Sequence, residues 1–460
     1  MTEVPPCATL PHVREIIYAE PFAMARRLKG ARALTLLESV QRHEHLGRYS
    51  FLACEPAQTL VVTDGVAFLD GERQDNPPFA CLQRTLDDNR RAHVEALPPF
   101  QGGWAGFISY DYGRHLEPKS KIPTFAPICP DMVFHRYDTV IGIDHLQERA
   151  WIVSGTPAAA DEMEVRLQRK QQPLGNAAVP GLAAIITRQR HEENVQATVD
   201  YILAGDIFQA NITQTFAAPE PDGFDSFALY AKLREQNPAT FASLLDYDGI
   251  RVISSSPERL VRLYGRLAEA RPIKGTRPRA ADPLRDRGLA MELQASRKDR
   301  AENVMIVDLL RNDLSRVSQP GTVKVPVLCG LESYANVHHL VSVVQGELRP
   351  EKTVTDLLTA VFPGGSITGA PKIRAMEVIS KLEAAPRGVY CGSIGYLGFS
   401  GTCDFNIAIR TVQVAGGMVR VQGGGGITAR SQAPAEYEES LTKIARLRAA
   451  LGDDGSGNGA

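Results

Sequence analysis

The sequence predicts an α+β fold on three observations. Short alternating or aromatic runs punctuated by Gly and Pro, such as TLVVTDGVAFLDG and GGWAGFISYDYG, dominate roughly the first 150 residues and read as antiparallel strands. From about Arg188 onward, amphipathic helices alternate with strands. Two later segments, around Gly265 and around Gly416-Gly417, have the composition of β-hairpins.

A chain of 460 residues that is 43% hydrophobic can bury a large core, enough for two to four domains or one interwoven unit. Its composition divides it into an N-terminal region (1–155), a linker rich in Ala, Gln, Gly and Pro (156–187), a mixed α/β region (188–451) and a Gly-rich tail expected to be disordered (452–460). The net charge of -2 gives no reason to expect a nucleic acid or an anionic membrane as partner. Seven scattered cysteines without a C-x-x-C pair argue against a disulfide framework or a zinc site and fit a reducing cytoplasm. No basic leader and no run of about 18 apolar residues is present, so export and membrane spanning are not expected.

Three segments place candidate chemistry. A helix over 299–317 sets Asp299 and Glu302 on one face near its start. A helix over 434–451, with proline at its start, carries Glu436, Glu439 and Lys443 on one stripe and Leu441, Ile444, Leu447 and Leu451 on another. The hairpin turning at Gly416-Gly417 pairs Ala415 with Met418. Counting back sets Arg410 opposite Gly423, beside bare backbone N–H groups that suit an anion. In the hairpin around Gly265, a three-residue loop would pair Glu258 with Lys274 on one face, and a two-residue loop would set them on opposite faces. We expect the three-residue register.

Lys274, in RPIKGTRPR, is flanked by arginines whose charge favours the neutral amine, which suits a nucleophile. A solvated lysine at a strand end is the plainer reading. Glu302 and Glu439 read as ordinary helix surface or as oxygen ligands of magnesium; spacing leaves both open. In FPGGSITGAPKIRAM, Gly364, Gly365, Ser366, Thr368 and Gly369 precede a helix opened by Pro371 and could cradle an anion. The lysine spacing there is not that of a nucleotide P-loop. His339 is either a packed strand histidine or a site residue. Glu38 and Ser39, with Arg48 and Tyr49 after them, either form a pocket for an amino-acid ammonium group or a charged turn.

The motifs SSSPER, PIKGTRPR, DRAENVMIVDLLRNDL, HLVS, PGGSITGAPK, GVYCGSIGY, FNIAIRT, QGGGGI and EYEESLTK occur here in order, and the chain resembles the chorismate-utilising enzymes. The resemblance is dense over residues 190–450; LLES, GRYSFL and GGWAGFISYD extend it towards the N-terminus. It implies two antiparallel sheets packed as a sandwich with helices outside, as in anthranilate synthase component I. It also implies that Glu302 and Glu439 ligate Mg2+, with Asp299 and Glu436 bridging through water. Tyr390, Arg410, Gly424, Gly426 and Lys443 would bind the chorismate carboxylates, with Thr368 and His339 beside the ring. Cys391 stands where many relatives have serine.

Lysine in the PI-x-GT motif resembles the aminodeoxychorismate-forming members, whereas anthranilate-forming members resemble them with alanine there. Gln209 replaces the lysine base of the water-adding members. The resemblance thus implies attack by Lys274 on C2 of chorismate while Glu258 protonates the departing C4 hydroxyl, followed by amination at C4 towards 4-aminobenzoate and folate. Neutralising a Lys–Glu ion pair by proton transfer costs about 8 kcal/mol at roughly 1.36 kcal/mol per pKa unit, so a dry site is required. No cysteine sits in a G-x-C-x-G elbow, so ammonia is expected from a separate glutaminase subunit. The LLES region resembles the tryptophan pocket of anthranilate synthases and implies bound tryptophan. The rivals are an anthranilate-forming enzyme and a noncatalytic amino-acid-binding partner subunit; the set Glu258, Lys274, Glu302 and Glu439 speaks against the second.

Overall fold

The computed structural model describes residues 9–42, 46–334 and 337–453. Within them, eleven α-helices surround two sheets of 12 strands each. Every ladder in both sheets is antiparallel. The alternation of apolar residues along the strands gives each sheet an inner and an outer apolar face. The inner faces meet in clusters such as Phe107, Val133 and Ile394 of one sheet against Leu245, Tyr247 and Val252 of the other. The outer faces are covered by helices: Ile306, Val307, Leu310 and Leu314 pack on one sheet, and Ile444, Leu447 and Leu451 on the other. This is the sandwich with external helices that the sequence led us to expect.

Both sheets take strands from both halves of the chain. Leu34–Glu38 pairs with Phe241–Tyr247 in one sheet, and Gly103–Ile108 pairs with Ser393–Gly398 in the other. Residues 156–187, expected to be a linker, connect the halves but are not an open tether. Pro157–Leu167 is a helix capped by Thr156, with Ala160, Met163 and Leu167 buried one or two turns apart. Downstream, Ala177, Val179 and Leu182 also enter the core, and the Val179 amide donates to the Leu451 carbonyl at 2.8 Å. The Ala- and Gln-rich composition concealed this apolar spacing. The tail beyond Asp453 lies outside the described residues; Gly452 still donates to the Ala449 carbonyl at 3.0 Å, closing the last helix turn.

The two hairpins behave differently. At Gly416-Gly417 both φ angles are positive (57° and 69°), and Ala415 pairs with Met418 as counted. At the other hairpin, Tyr264 pairs with Leu267, so the loop is the two-residue Gly265-Arg266 and not the three-residue loop. A register shift between Arg259 and Arg262 then displaces the ladder. Lys274 leaves this hairpin altogether, in the strand Ile273–Pro278 that pairs with Val337–Glu347.

Candidate active site

One cavity of about 500 Å³ gathers residues from segments scattered between Asn211 and Ile444. Its walls include Glu258, Lys274, Asp299, Glu302, His339, Tyr390, Arg410, Gly424, Gly426, Glu436, Glu439 and Lys443, twelve of the thirteen side chains or glycines expected at the chorismate site. Thr368 is the exception. Its hydroxyl is fully buried and donates to the Gly364 carbonyl at 2.9 Å, closing its own loop, while Ser366 and Ile367 face the cavity.

Glu258 and Lys274 therefore meet by a route other than the one counted. The bulge after Arg259 and the break at Pro272 bring both into the cavity although they are not ladder partners. Glu258 Oε1 is buried without a hydrogen-bond partner, and Lys274 Nζ donates to the Ser366 carbonyl at 3.3 Å. Burial raises the Glu258 carboxyl above its usual range, with Lys274 and Ser366 opposing. Burial likewise lowers the Lys274 amine, with Glu302 and Glu258 opposing. Both shifts favour the neutral forms and reduce the cost of moving the proton from lysine to glutamate.

Gly275 makes this placement feasible. Its φ is +83°, and a Cβ there would stand 2.8 Å from Asp299 Cβ, so the strand end and the helix Arg297–Ser315 approach more closely than any side chain permits. The helix begins at Ser296, whose hydroxyl accepts from the Asp299 amide at 3.3 Å, and its first turns present Asp299 and Glu302.

Facing them, the helix Ala433–Ala450 presents Glu436, Glu439 and Lys443 over the backbone of Gly425. A Cβ on Gly425 would lie 3.1 Å from Glu436 Oε2 and 3.6 Å from Glu439 Oε1, so the bare glycine is what lets the carboxylates close down. Burial raises Glu302 and Glu436. Burial also pushes Glu439 upward, but Lys443 and the other nearby amines outweigh it and leave Glu439 lowered. Glu302 Oε1 is buried without a hydrogen-bond partner. Among the described residues no three His, Cys, Asp or Glu side chains are gathered into a ready metal cage. The two opposed carboxylate pairs fit a cation that completes its shell with water and substrate oxygens, as magnesium does.

Arg410 places a guanidinium on the cavity wall. It adopts φ +52° and its carbonyl accepts from the Ser255 amide at 3.0 Å, so it is not the ladder partner of Gly423. The observed pairing begins at Val412 with Val421, yet the side chain still reaches the same cavity wall as Gly423 and Gly424. Lys443 Nζ donates to the Gly424 carbonyl at 3.0 Å. His339 pairs with Thr276 Oγ1 at 2.8 Å, and burial lowers its pKa to about 4, so the ring is neutral near pH 7.

The sequence reading did not single out Asn211, Thr276 or Lys298, and all three line the cavity, as does Ser366 of the predicted anion-cradling loop. Asn211 pairs with Gly426 in the ladder between Gln209–Pro219 and Met418–Ile427. A polar residue inside that otherwise strand-like run was the available signal.

A second cavity of about 440 Å³ lies between the sheets and is lined by Glu38, Ser39, Arg48 and Tyr49 with an apolar wall that includes Phe51, Leu97, Phe241 and Tyr396. The four predicted residues meet, but the polar groups of Glu38, Ser39 and Arg48 are engaged. Glu38 accepts from Arg234 at 2.7 and 2.9 Å and from the Tyr230 hydroxyl at 2.7 Å, so its carboxylate is not free for an ammonium group. Ser39 Oγ donates to the Tyr49 carbonyl at 2.8 Å, and Arg48 pairs with Asp144 at 2.7 Å.

With this geometry in place, the chain matches the model of the chorismate binding enzyme family over residues 34–449. It belongs to that family. It is 38% identical over 419 residues to aminodeoxychorismate synthase component 1 of Escherichia coli (strain K12), covering 90% of this chain and 92% of the relative. It is 39% identical over 432 residues to anthranilate synthase component 1 of Thermus thermophilus, covering 90% of this chain and 91% of the relative. Among solved structures, anthranilate synthase component I from Streptococcus pneumoniae superposes with a TM-score of 0.78 at 32% identity, covering 87% of this chain and 92% of that one. No helix among the described residues is long and apolar enough to cross a membrane.

Proposed function

We propose that the protein is the chorismate-aminating component I of an aminodeoxychorismate synthase, forming 4-amino-4-deoxychorismate for 4-aminobenzoate and folate synthesis. The observation that carries this reading is Lys274, an amine in the wall of the cavity, lowered in pKa and set beside the protonation-prone Glu258. An anthranilate-forming enzyme is the second reading, favoured by the equally similar anthranilate synthase relative.

In the proposed reaction, Arg410, Tyr390, Lys443 and the backbone at Gly424 and Gly426 hold the substrate carboxylates. Glu302 and Glu439, aided by Glu436 and Asp299, hold Mg2+, which when bound supplies charge that stabilises electron density drawn towards the ring carboxylate. Lys274 Nζ forms a bond to C2 as both ring double bonds shift, C1=C2 to C1=C6 and C5=C6 to C4=C5, and the C4–O bond breaks. Glu258 gives its proton to the departing hydroxyl, which leaves as water. Ammonia then forms a bond to C4, both double bonds shift back and the C2–N bond breaks, returning the electron pair to Lys274; the proton lost by the new amine restores Glu258. Pyruvate stays attached. Ammonia is supplied by a separate glutaminase subunit, and the second cavity has room for tryptophan.

Incubation with chorismate, Mg2+ and ammonium, followed by mass analysis, tests the reading. Product retaining the enolpyruvyl group and gaining nitrogen supports it; fluorescent anthranilate with released pyruvate supports the second reading and excludes the first.

A further inference from the structure

Beneath the cavity floor lies an ion pair that none of the steps above employs. Arg387 is 1% exposed, and its guanidinium forms a two-point pair with Glu383, Nε to Oε2 at 2.9 Å and Nη2 to Oε1 at 2.7 Å. Its remaining donors do not go to side chains. Nη2 donates to the Asn211 carbonyl at 2.6 Å and Nη1 to the Ile367 carbonyl at 3.1 Å. Asn211 and Ile367 both line the cavity, on segments more than 150 residues apart in sequence. Glu383 ties the first of these segments again, accepting from Thr213 N and Oγ1, each at 2.9 Å. The Asn211 amide in turn donates to the Thr368 carbonyl at 2.8 Å, next to Ile367.

The same arginine anchors a third wall. Its own amide and that of Gly388 donate to the two carboxylate oxygens of Asp111, at 3.2 and 2.8 Å, which directs the chain towards Tyr390 in the cavity wall. The Tyr110 ring covers the guanidinium, with the cation 4.5 Å from the ring centroid. A guanidinium is the only side chain whose planar fork can serve a carboxylate and two carbonyls at once. Two hydrophobic residues of similar size could fill this space, yet they could not tie these backbones to one another.

We propose that Glu383 and Arg387 are positioning residues of the chorismate site: the pair sets the backbone of Asn211, Ile367 and the approach to Tyr390, and so the shape in which substrate is held against Lys274. This rests on the reading of the cavity as the chorismate site. Because a misplacement of about 1 Å can cost about 100-fold in rate, the effect belongs in turnover and not only in folding.

The test compares wild type, Arg387→Lys and the double variant Glu383→Gln/Arg387→Met by chorismate disappearance, product identity and thermal unfolding. The double variant removes both buried charges together, so it avoids leaving either one unpaired, and the amide introduced in place of the Glu383 carboxylate can still accept from Thr213. We expect it to fold, with kcat per folded molecule lowered about 100-fold and KM for chorismate changed much less. Arg387→Lys keeps the charge but not the fork, and should lose kcat to an intermediate degree. Wild-type kcat in the folded double variant, or activity lost only in proportion to the unfolded fraction, overturns the proposal. If the double variant does not fold, Arg387→Lys decides: an unchanged kcat overturns it. A wild-type product without nitrogen, or anthranilate with released pyruvate, would reject the proposed function while leaving the chorismate-disappearance comparison intact.

Discussion

Lys443 Nζ lies 2.7 Å from Glu439 Oε1 and donates to the Gly424 carbonyl at 3.0 Å, so one ammonium group joins the carboxylate cluster to the glycine strand that faces Arg410. The acidic and basic halves of the cavity are thereby held in register. The carboxylates of Glu302 and Glu439 approach from opposite helices, and neither helix alone provides the cluster.

If these carboxylates hold magnesium, Glu439→Gln should raise the Mg2+ concentration for half-maximal activity at least about tenfold, equivalent to about 1.4 kcal/mol of binding. A titration of activity with MgCl2 measures this. An unchanged midpoint would remove Glu439 from the ligand set.

The pH profile follows from the directions of the two central shifts. Lys274 is lowered, so the reactive neutral amine appears as pH rises through a value below the ordinary lysine range. Glu258 is raised, so the proton it must donate is retained to higher pH than in a free glutamate and is lost above that point. Activity should therefore rise and then fall with pH, with limbs that belong to the pair and not to either residue alone. Glu258→Gln should lower kcat about 10²- to 10⁴-fold and change KM little. Equal kcat in the two proteins would eliminate Glu258 as the acid.

His339 should contribute no limb between pH 5 and 8. Burial holds its pKa at about 4, and Thr276 occupies one ring nitrogen. NMR of the histidine ring should show it neutral throughout that range; titration near 6.5 would contradict the buried placement.

Gly275→Ala tests the close approach of strand and helix. The added methyl meets Asp299 Cβ at 2.8 Å in a backbone of φ +83°, and such strain costs about 1–3 kcal/mol. Denaturant unfolding should show that loss, accompanied by reduced activity because Asp299 and Lys274 must separate. A variant with wild-type stability and turnover would show that the contact relaxes freely.

In the second cavity, tryptophan should raise the melting temperature in a concentration-dependent manner through binding to the folded state alone. Absence of any shift at millimolar tryptophan would count against an exchangeable ligand. Arg234→Met tests the same wall differently. It leaves the Glu38 carboxylate buried without its cation, which costs about 3–5 kcal/mol.

The parts of this architecture that were legible in the sequence are those determined locally. Two adjacent glycines at 416 and 417 supply positive φ at both turn positions, so the register of that hairpin could be counted. The helix carrying Glu436, Glu439 and Lys443 shows its two stripes directly. The Gly265 hairpin resisted the same counting, because its register shift between Arg259 and Arg262 arises where the strand also pairs with Cys403–Asn406, far along the chain. Glu38 was read as a free acid because its partner, Arg234, lies on a helix 196 residues away. Thr368 was read as facing a ligand because the loop's composition does not show which way its hydroxyl turns; it donates to the Gly364 carbonyl in the same loop.

The nucleophilic role of Lys274 is open to intact-protein mass spectrometry after incubation with chorismate and Mg2+ in the absence of ammonia. Without ammonia the second displacement is blocked, so wild type should gain the mass of chorismate less water and Lys274→Ala should gain nothing. An adduct of equal yield in both proteins, or none in wild type under conditions where added ammonium yields product, would rule that role out.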